Sequence, residues 1–88
     1  MTLHVYIPSP LRSYTGGVAL VEGRGDTLAE LLLALDERYP GIRFRIIDEQ
    51  DRIREHIRFF VGVELVREIT QPIAADQDVH IVCALSGG

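Results

Sequence analysis

The sequence of 88 residues contains one cysteine, Cys83, and neither lysine nor tryptophan. A single thiol cannot close an internal disulfide, and it cannot supply the paired cysteines of a zinc site. His4, His56 and His80 are far apart, and no two have the spacing that places metal ligands on one helical face. The sequence therefore predicts neither a disulfide nor a metal site.

Positive charge and long apolar segments are also scarce. The formal net charge is −4 and the isoelectric point is near 5.2, whereas a surface that binds nucleic acid is basic. No apolar run approaches the roughly 20 residues that span a bilayer. The N-terminus also lacks a basic region followed by an apolar stretch and a cleavage site. We expect a cytoplasmic protein with no nucleic acid and no membrane among its partners.

The length and composition set a limit on what the chain can do alone. With 47% hydrophobic and 25% charged residues, it forms one small domain with a modest core. Little room remains for the several loops that usually carry an active site. The size therefore favours a carrier, an inhibitor or a binding module over a free-standing enzyme.

Short runs of alternating or β-branched residues predict the strands. The first, residues 3–7, stops at Pro8-Ser9-Pro10, and the second, residues 18–22, follows Gly16-Gly17 and pairs with it as an antiparallel hairpin. The loop between them is too long for a tight turn. Three further strands are predicted over residues 57–61, 64–66 and 79–85. The side chains expected to face the core are Leu3, Val5, Ile7, Ile57, Phe59, Val61, Val79, Ile81, Cys83 and Leu85.

One main helix is predicted between Asp26 and Tyr39. Its start carries an N-cap signal and a Thr-x-x-Glu capping box, and Pro40-Gly41 ends it. Leucines recur at helical spacing, and two neighbours broaden the stripe, so we expect a helix buried on most sides. The recurring residues are Leu28, Leu31, Leu32 and Leu35, and the broadening residues are Leu33 and Ala34. Residues 42–47 suggest a short irregular or helical turn, and residues 48–51 a polar loop.

This order of elements predicts an α+β fold of the β-grasp (ubiquitin-like) type, a mixed sheet crossed by one main helix. The last strand then lies at the centre of the sheet, parallel to the first. We assign residues 1–85 to the β-grasp domain and residues 86–88 to a flexible Ser-Gly-Gly tail.

The last residues, Ser86, Gly87 and Gly88, follow a predicted core strand directly. Two glycines without Cβ atoms make a thin arm. The arm from Leu85 to Gly88 reaches roughly 10 Å at about 3.3 Å per residue. We interpret the Gly88 carboxylate as a reaction handle that enters another protein's active site, with a merely frayed end as the alternative.

The sequence resembles the ubiquitin-like sulfur carriers, which include the molybdopterin synthase small subunit and the thiamine-pathway carrier. It looks closest to the carriers of bacterial cysteine biosynthesis and secondary metabolism, because Ala84-Leu85-Ser86 replaces a proline-containing segment of the molybdopterin type. The segments that carry the resemblance are residues 5–12 (VYIPSPLR), 16–17 (GG), 25–28 (GDTL), 39–41 (YPG) and 84–88 (ALSGG).

The resemblance implies that Gly88 is adenylated and then converted to a thiocarboxylate. The implied partners are an adenylyltransferase of the ubiquitin-activating type, a sulfur donor (sulfide or a persulfide protein) and a downstream sulfur-accepting enzyme. ATP and magnesium belong to the adenylyltransferase, and the carrier itself binds no cofactor and is not an enzyme. Gly87 and Ser86 serve the extended tail.

Alternation along the last strand places His80, Val82 and Ala84 on the face of the sheet opposite the helix. Phe60 shares that face, and we expect these four residues to form a partner surface. Two alternatives stay open: Phe60 packs beneath residues 41–56, and His80 is a solvated strand residue. Cys83 is expected to be a small core residue, not a reactive thiol.

Two other functions are compatible with a Gly-Gly end. One is a ubiquitin-like modifier that is conjugated through Gly88 to target lysines, and the other is a small subunit that completes a partner's active site. Because all nine basic residues are arginine, chains linked through the protein's own lysines are impossible. The absence of lysine also protects an activated Gly88 from side-chain amines, although codon bias explains it equally well.

Overall fold

The computed structural model describes residues 2–74 and 76–83, which form one mixed sheet in the order β2-β1-β5-β3-β4. The strands are β1 (Leu3–Tyr6), β2 (Leu20–Gly23), β3 (Ile57–Val61), β4 (Glu64–Val66) and β5 (Asp78–Cys83). The β1–β5 pair is parallel, and the other three pairs are antiparallel. The predicted β-grasp order is thus confirmed, including the central position of the last strand.

The strand boundaries differ from the predictions by one or two residues. Strand β1 ends at Tyr6, but the Ile7 N–H still donates to the Ala19 carbonyl at 2.7 Å. Strand β2 begins at Leu20, and Val18, predicted to open it, is 49% exposed. Ala84 and Leu85, predicted to continue the last strand, lie outside the described residues.

The connection between β1 and β2 is a 3-10 helix, Ser9–Thr15, which no periodic pattern of residues predicted. Thr15 is buried there, and its hydroxyl donates to the Val18 carbonyl at 2.7 Å. Gly16 ends the helix with φ 67°, a left-handed conformation that glycine adopts without strain.

Helix α1 (Leu28–Arg38) begins at the predicted capping box. The Thr27 hydroxyl accepts a hydrogen bond from the Glu30 N–H at 3.2 Å, and the Glu30 carboxylate accepts one from the Asp26 N–H at 2.9 Å. Leu28, Leu31, Leu32 and Leu35 are fully buried. The expectation for Leu33 was wrong: it is 53% exposed, because the sheet covers one face of α1 only.

Residues 42–46 form a second short helix, α2 (Ile42–Ile46). The Asp36 carboxylate links it to α1 by accepting hydrogen bonds from the N–H groups of Gly41 at 3.0 Å and Arg43 at 3.1 Å. The polar loop that follows is closed by Asp48. Its carboxylate accepts from the backbone N–H of Arg52, and also of Gln50, and this lowers the pKa of Asp48 below its usual value.

A single core lies between the inner face of the sheet and the two helices. Phe59 is the largest fully buried side chain, and aliphatic residues surround it. The predicted core positions Leu3, Val5, Ile7, Ile57, Val79 and Ile81 are all buried, whereas Val61 and Cys83 are half-buried at its margin. Within the described residues, no helix is long and apolar enough to cross a membrane.

Candidate functional site

Strand β5 fixes the base of the C-terminal segment in the middle of the sheet. On one side Val79 and His80 pair with Val5 and Tyr6 of β1. On the other side, β5 pairs with β3 up to its last residue, where Cys83 lies opposite Ile57. Cys83 is therefore held by a rigid ladder five residues before Gly88. The predicted site residues Ala84, Ser86, Gly87 and Gly88 lie outside the described residues.

The outer face of the sheet carries a continuous row of large side chains, one from each strand. The pairings Leu20–Tyr6, Tyr6–His80, His80–Phe60 and Phe60–Leu65 place five residues side by side across the sheet. We call Leu20, Tyr6, His80, Phe60 and Leu65 the outer row. The sequence identified His80 and Phe60. Leu20, Tyr6 and Leu65 were missed, because alternation gives the face of a residue but not its partner across the ladder.

The centre of the outer row is a stacked pair of rings. The Tyr6 and His80 ring centroids lie 4.3 Å apart, with an angle of 4° between the ring planes. Tyr6 remains 37% exposed, and His80 is half-buried. His80 is thus not a fully solvated strand residue but is stacked on Tyr6 in a partly apolar surface.

Val82 lies beside the outer row, on the same face. It is 41% exposed, and the register places it opposite Arg58 of β3. The Arg58 guanidinium donates to the Glu55 carbonyl at 2.7 Å and to the Ile57 carbonyl at 3.0 Å. This part of the outer face, on β5 and β3, therefore combines an apolar side chain with a positioned cation.

Phe60 does not pack beneath residues 41–56, which was the open alternative. The buried residues of that segment, Ile42, Ile46 and Ile47, join the core on the inner face together with Phe59. Phe60 points the opposite way and stays half-buried in the outer row. Phe60, His80 and Val82 therefore share one accessible face, as their alternation predicted.

Cys83 packs against the margin of the core on the inner face. Burial raises the pKa of its thiol, and the positive charge of Arg45 opposes that shift only in part. A thiol with a raised pKa is a weak nucleophile at neutral pH. Within residues 2–74 and 76–83, no group of three or more histidine, cysteine or acidic side chains could hold a metal ion.

The mixed sheet with a parallel central pair, crossed by α1, defines a ubiquitin-like β-grasp protein. Residues 5–88 match the ThiS family, and the chain belongs to that family.

Proteins from two bacteria are similar to this chain over nearly its whole length. The sulfur carrier protein CysO of Mycobacterium tuberculosis is 33% identical over 93 residues, which cover 100% of both chains. Its crystal structure has a TM-score of 0.89 with 32% identity, covering 94% of this chain and 99% of that one. A chain of the Amycolatopsis orientalis BexX/CysO complex has a TM-score of 0.91 with 30% identity, covering 98% and 99%.

A modifier protein shares the fold at lower identity. SAMP1 from Haloferax volcanii has a TM-score of 0.81 with 20% identity over 100% of both chains. At this identity the likeness concerns the fold alone.

Proposed function

We propose that this chain is a sulfur carrier whose Gly88 carboxylate is adenylated and then converted to a thiocarboxylate. The observation that carries the proposal is the similarity to the mycobacterial carrier protein, which runs through the full length of both chains. The Gly87-Gly88 end of the sequence, five residues beyond Cys83, supports it.

The chemistry divides into two displacements. A carboxylate oxygen of Gly88 attacks the α-phosphorus of ATP, the bond to the β-phosphate breaks, and pyrophosphate leaves. Sulfide then attacks the acyl carbon of the adenylate and the bond between that carbon and the AMP oxygen breaks. AMP departs, and the product is the Gly88 thiocarboxylate. Neither step requires an acid or base from the carrier, so we assign ATP and magnesium to an adenylyltransferase of the ubiquitin-activating type and catalysis to the partners.

The rigid base at Cys83 limits where the reaction takes place. Five residues span at most about 17 Å in extended conformation, so the active site that receives Gly88 lies within that distance of the sheet. The partner must therefore contact the domain while Gly88 reacts. We propose that the same geometry serves a persulfide or sulfide donor and a downstream sulfur-accepting enzyme in the cytoplasm.

We propose the outer face as the surface that the adenylyltransferase contacts. Aromatic and aliphatic side chains from all five strands lie side by side there, and such residues are enriched in the cores of protein interfaces. Phe60, His80 and Val82 lie on β3 and β5, the strand pair that extends to Cys83, and Ala84 follows Cys83 in the sequence.

The test is the intact mass of the protein after incubation with the adenylyltransferase, Mg-ATP and sulfide. We expect a mass gain equal to the replacement of one oxygen by sulfur, and no gain for a variant that lacks Gly88. A Gly16→Ala variant is the matched control: the added methyl strains the backbone at φ 67° but meets no atom within 4 Å beyond its chain neighbours, so the folded variant keeps the gain. An active adenylyltransferase that leaves the wild-type mass unchanged would refute the carrier function.

The same experiment in cells distinguishes a carrier from a protein modifier. A carrier returns as free protein once sulfur is delivered, whereas a modifier accumulates in conjugates of higher mass. We expect the free protein and its thiocarboxylate only. A ladder of conjugates that disappears when Gly88 is deleted would instead establish the modifier.

A further inference from the structure

A cleft of about 450 Å³ lies on the core side of the fold, next to the end of β5. Its apolar lining includes Leu11 of the 3-10 helix, Ile57 at the start of β3 and Cys83 at the end of β5. Three elements distant in sequence thus meet beside Cys83. The volume falls in the range of binding pockets, which is about 300 to 1,000 Å³.

The rim of this cleft is basic. Arg45, Arg54 and His56 line it, and no acidic residue does so among the described residues. Within residues 2–74 and 76–83, the only ion pair joins Arg43 to Asp51, so neither Arg45 nor Arg54 forms an ion pair with a carboxylate there. A cationic rim on a chain of net charge −4 is a local feature that attracts an anionic group.

Phe44 and Arg54 are held in place at the cleft. The Arg54 Nε donates to the Phe44 carbonyl at 2.8 Å, and its guanidinium lies 4.8 Å from the centre of the Phe44 ring. Even so, 55% of Phe44 is exposed. An exposed aromatic ring and a cation that are already positioned bind a partner at a low cost in side-chain entropy.

The position of the cleft indicates which protein would occupy it. Gly88 lies five residues beyond Cys83, at most about 17 Å along an extended chain. The active site of any protein that holds Gly88 therefore lies within about 17 Å of Cys83, which lines the cleft. Arg45 acts on the pKa of Cys83, so its charge is close to the apolar floor of the same cleft.

We infer that this cleft docks an acidic segment with an apolar anchor side chain, presented by the protein that receives Gly88. The inference rests on the proposed carrier function. The apolar floor takes the anchor, and Arg45 and Arg54 pair with the flanking carboxylates. The cleft thus adds a second contact on the face opposite the outer row and selects among partners by charge.

The test is a titration of the full-length ¹⁵N-labelled chain with capped peptides, followed by NMR. The first peptide has a Leu-Phe pair flanked by aspartates and glutamates. In the second, lysines replace the acidic residues, and in the third, serines replace the Leu-Phe pair. We expect saturable shifts at Phe44, Arg45, Ile57 and Cys83 with the first peptide only.

Charge variants of the carrier complete the test. Arg45→Glu should weaken binding of the first peptide by about tenfold, because it places a carboxylate on the rim. Arg24→Glu makes the same change in net charge at an exposed position between β2 and α1 that does not line the cleft. We expect the affinity of the Arg24→Glu variant to equal that of the wild type.

Three results would overturn the inference. They are equal binding of the serine peptide, the same shifts with sodium phosphate alone, and shifts confined to the outer row. The titration does not depend on Gly88, so the variant that lacks Gly88 should bind the first peptide as the wild type does. Binding without thiocarboxylate formation would refute the carrier function, and thiocarboxylate formation without binding would refute the docking cleft.

Discussion

Cys83 is the only thiol of the chain and lies five residues before Gly88. A thiolate at this position would compete with external sulfur for an activated Gly88, because an acyl-adenylate reacts readily with thiolates. Burial disfavours the charged form and raises the pKa of Cys83. The packing of β5 thus keeps the one internal nucleophile of this kind protonated at neutral pH.

The state of Cys83 can be measured by alkylation. Since a raised pKa lowers the thiolate fraction at a given pH, we expect iodoacetamide at pH 8 to modify folded Cys83 more slowly than the same residue in urea-unfolded protein. Arg45 lowers the pKa, so Arg45→Gln should raise it further and slow the reaction a few-fold. Arg24→Gln is the matched control. The extent of alkylation is measured by intact mass. Faster alkylation of the Arg45→Gln variant than of the wild type would contradict the effect of Arg45 on the pKa of Cys83.

At the scale of elements, the connection between β2 and α1 depends on Gly25. Its φ is 154°, and a Cβ added there would lie 2.5 Å from the backbone nitrogen of Leu31. Leu31 is fully buried in the core, so the helix cannot retreat from this contact without disturbing the packing. The glycine therefore determines how closely α1 approaches the sheet.

Gly25→Ala should lower the free energy of unfolding by about 3 kcal/mol, through both backbone strain and overlap with α1. Gly17→Ala is the matched control, because Gly17 also has a positive φ, 89°, but has no atom within 4 Å of the added Cβ. Its cost should be about 1 kcal/mol. Urea unfolding measures both values. Equal losses would mean that strain alone acts at Gly25.

The elements that could be predicted from sequence are those with strong local signals. The capping box at Thr27 and Glu30 marked the start of α1, and alternation marked β1, β3 and β5. Leu33 was misjudged, because an unbroken run of leucines does not reveal where the sheet lies relative to the helix. The 3-10 helix has no periodic signal, and the cleft at Cys83 depends on elements distant in sequence.

At the scale of the whole molecule, the two faces of the sheet have different surroundings. Its inner face builds the only core of the described residues, and its outer face carries the outer row. Alternation predicted Phe60, His80 and Val82 on the outer face. The full row required the strand order and register, because Leu20 and Leu65 belong to the two edge strands.

Substitutions of two adjacent phenylalanines allow the inner and outer faces of the sheet to be tested separately. Phe59 is fully buried, and Phe60 lies on the opposite face, half-buried. Phe59→Ala should lower the free energy of unfolding by about 3 to 5 kcal/mol, the cost of a large core truncation. Phe60→Ala should cost about 1 kcal/mol, because less apolar area is lost and no closed cavity forms. Urea unfolding checks both.

The functional effects of the two substitutions should be in the opposite order. At a temperature where both variants are folded, Phe60→Ala should slow thiocarboxylate formation about tenfold, since truncation of a central interface residue costs about 1 to 2 kcal/mol. Phe59→Ala should react at nearly the wild-type rate, because the tail and the outer row keep their chemistry. A Leu33→Ala variant controls for truncation of an exposed apolar side chain away from the sheet. If Phe60→Ala instead reacts as fast as Leu33→Ala, the outer row does not dock the adenylyltransferase. The adenylyltransferase would then recognise the carrier through the tail and the cleft at Cys83.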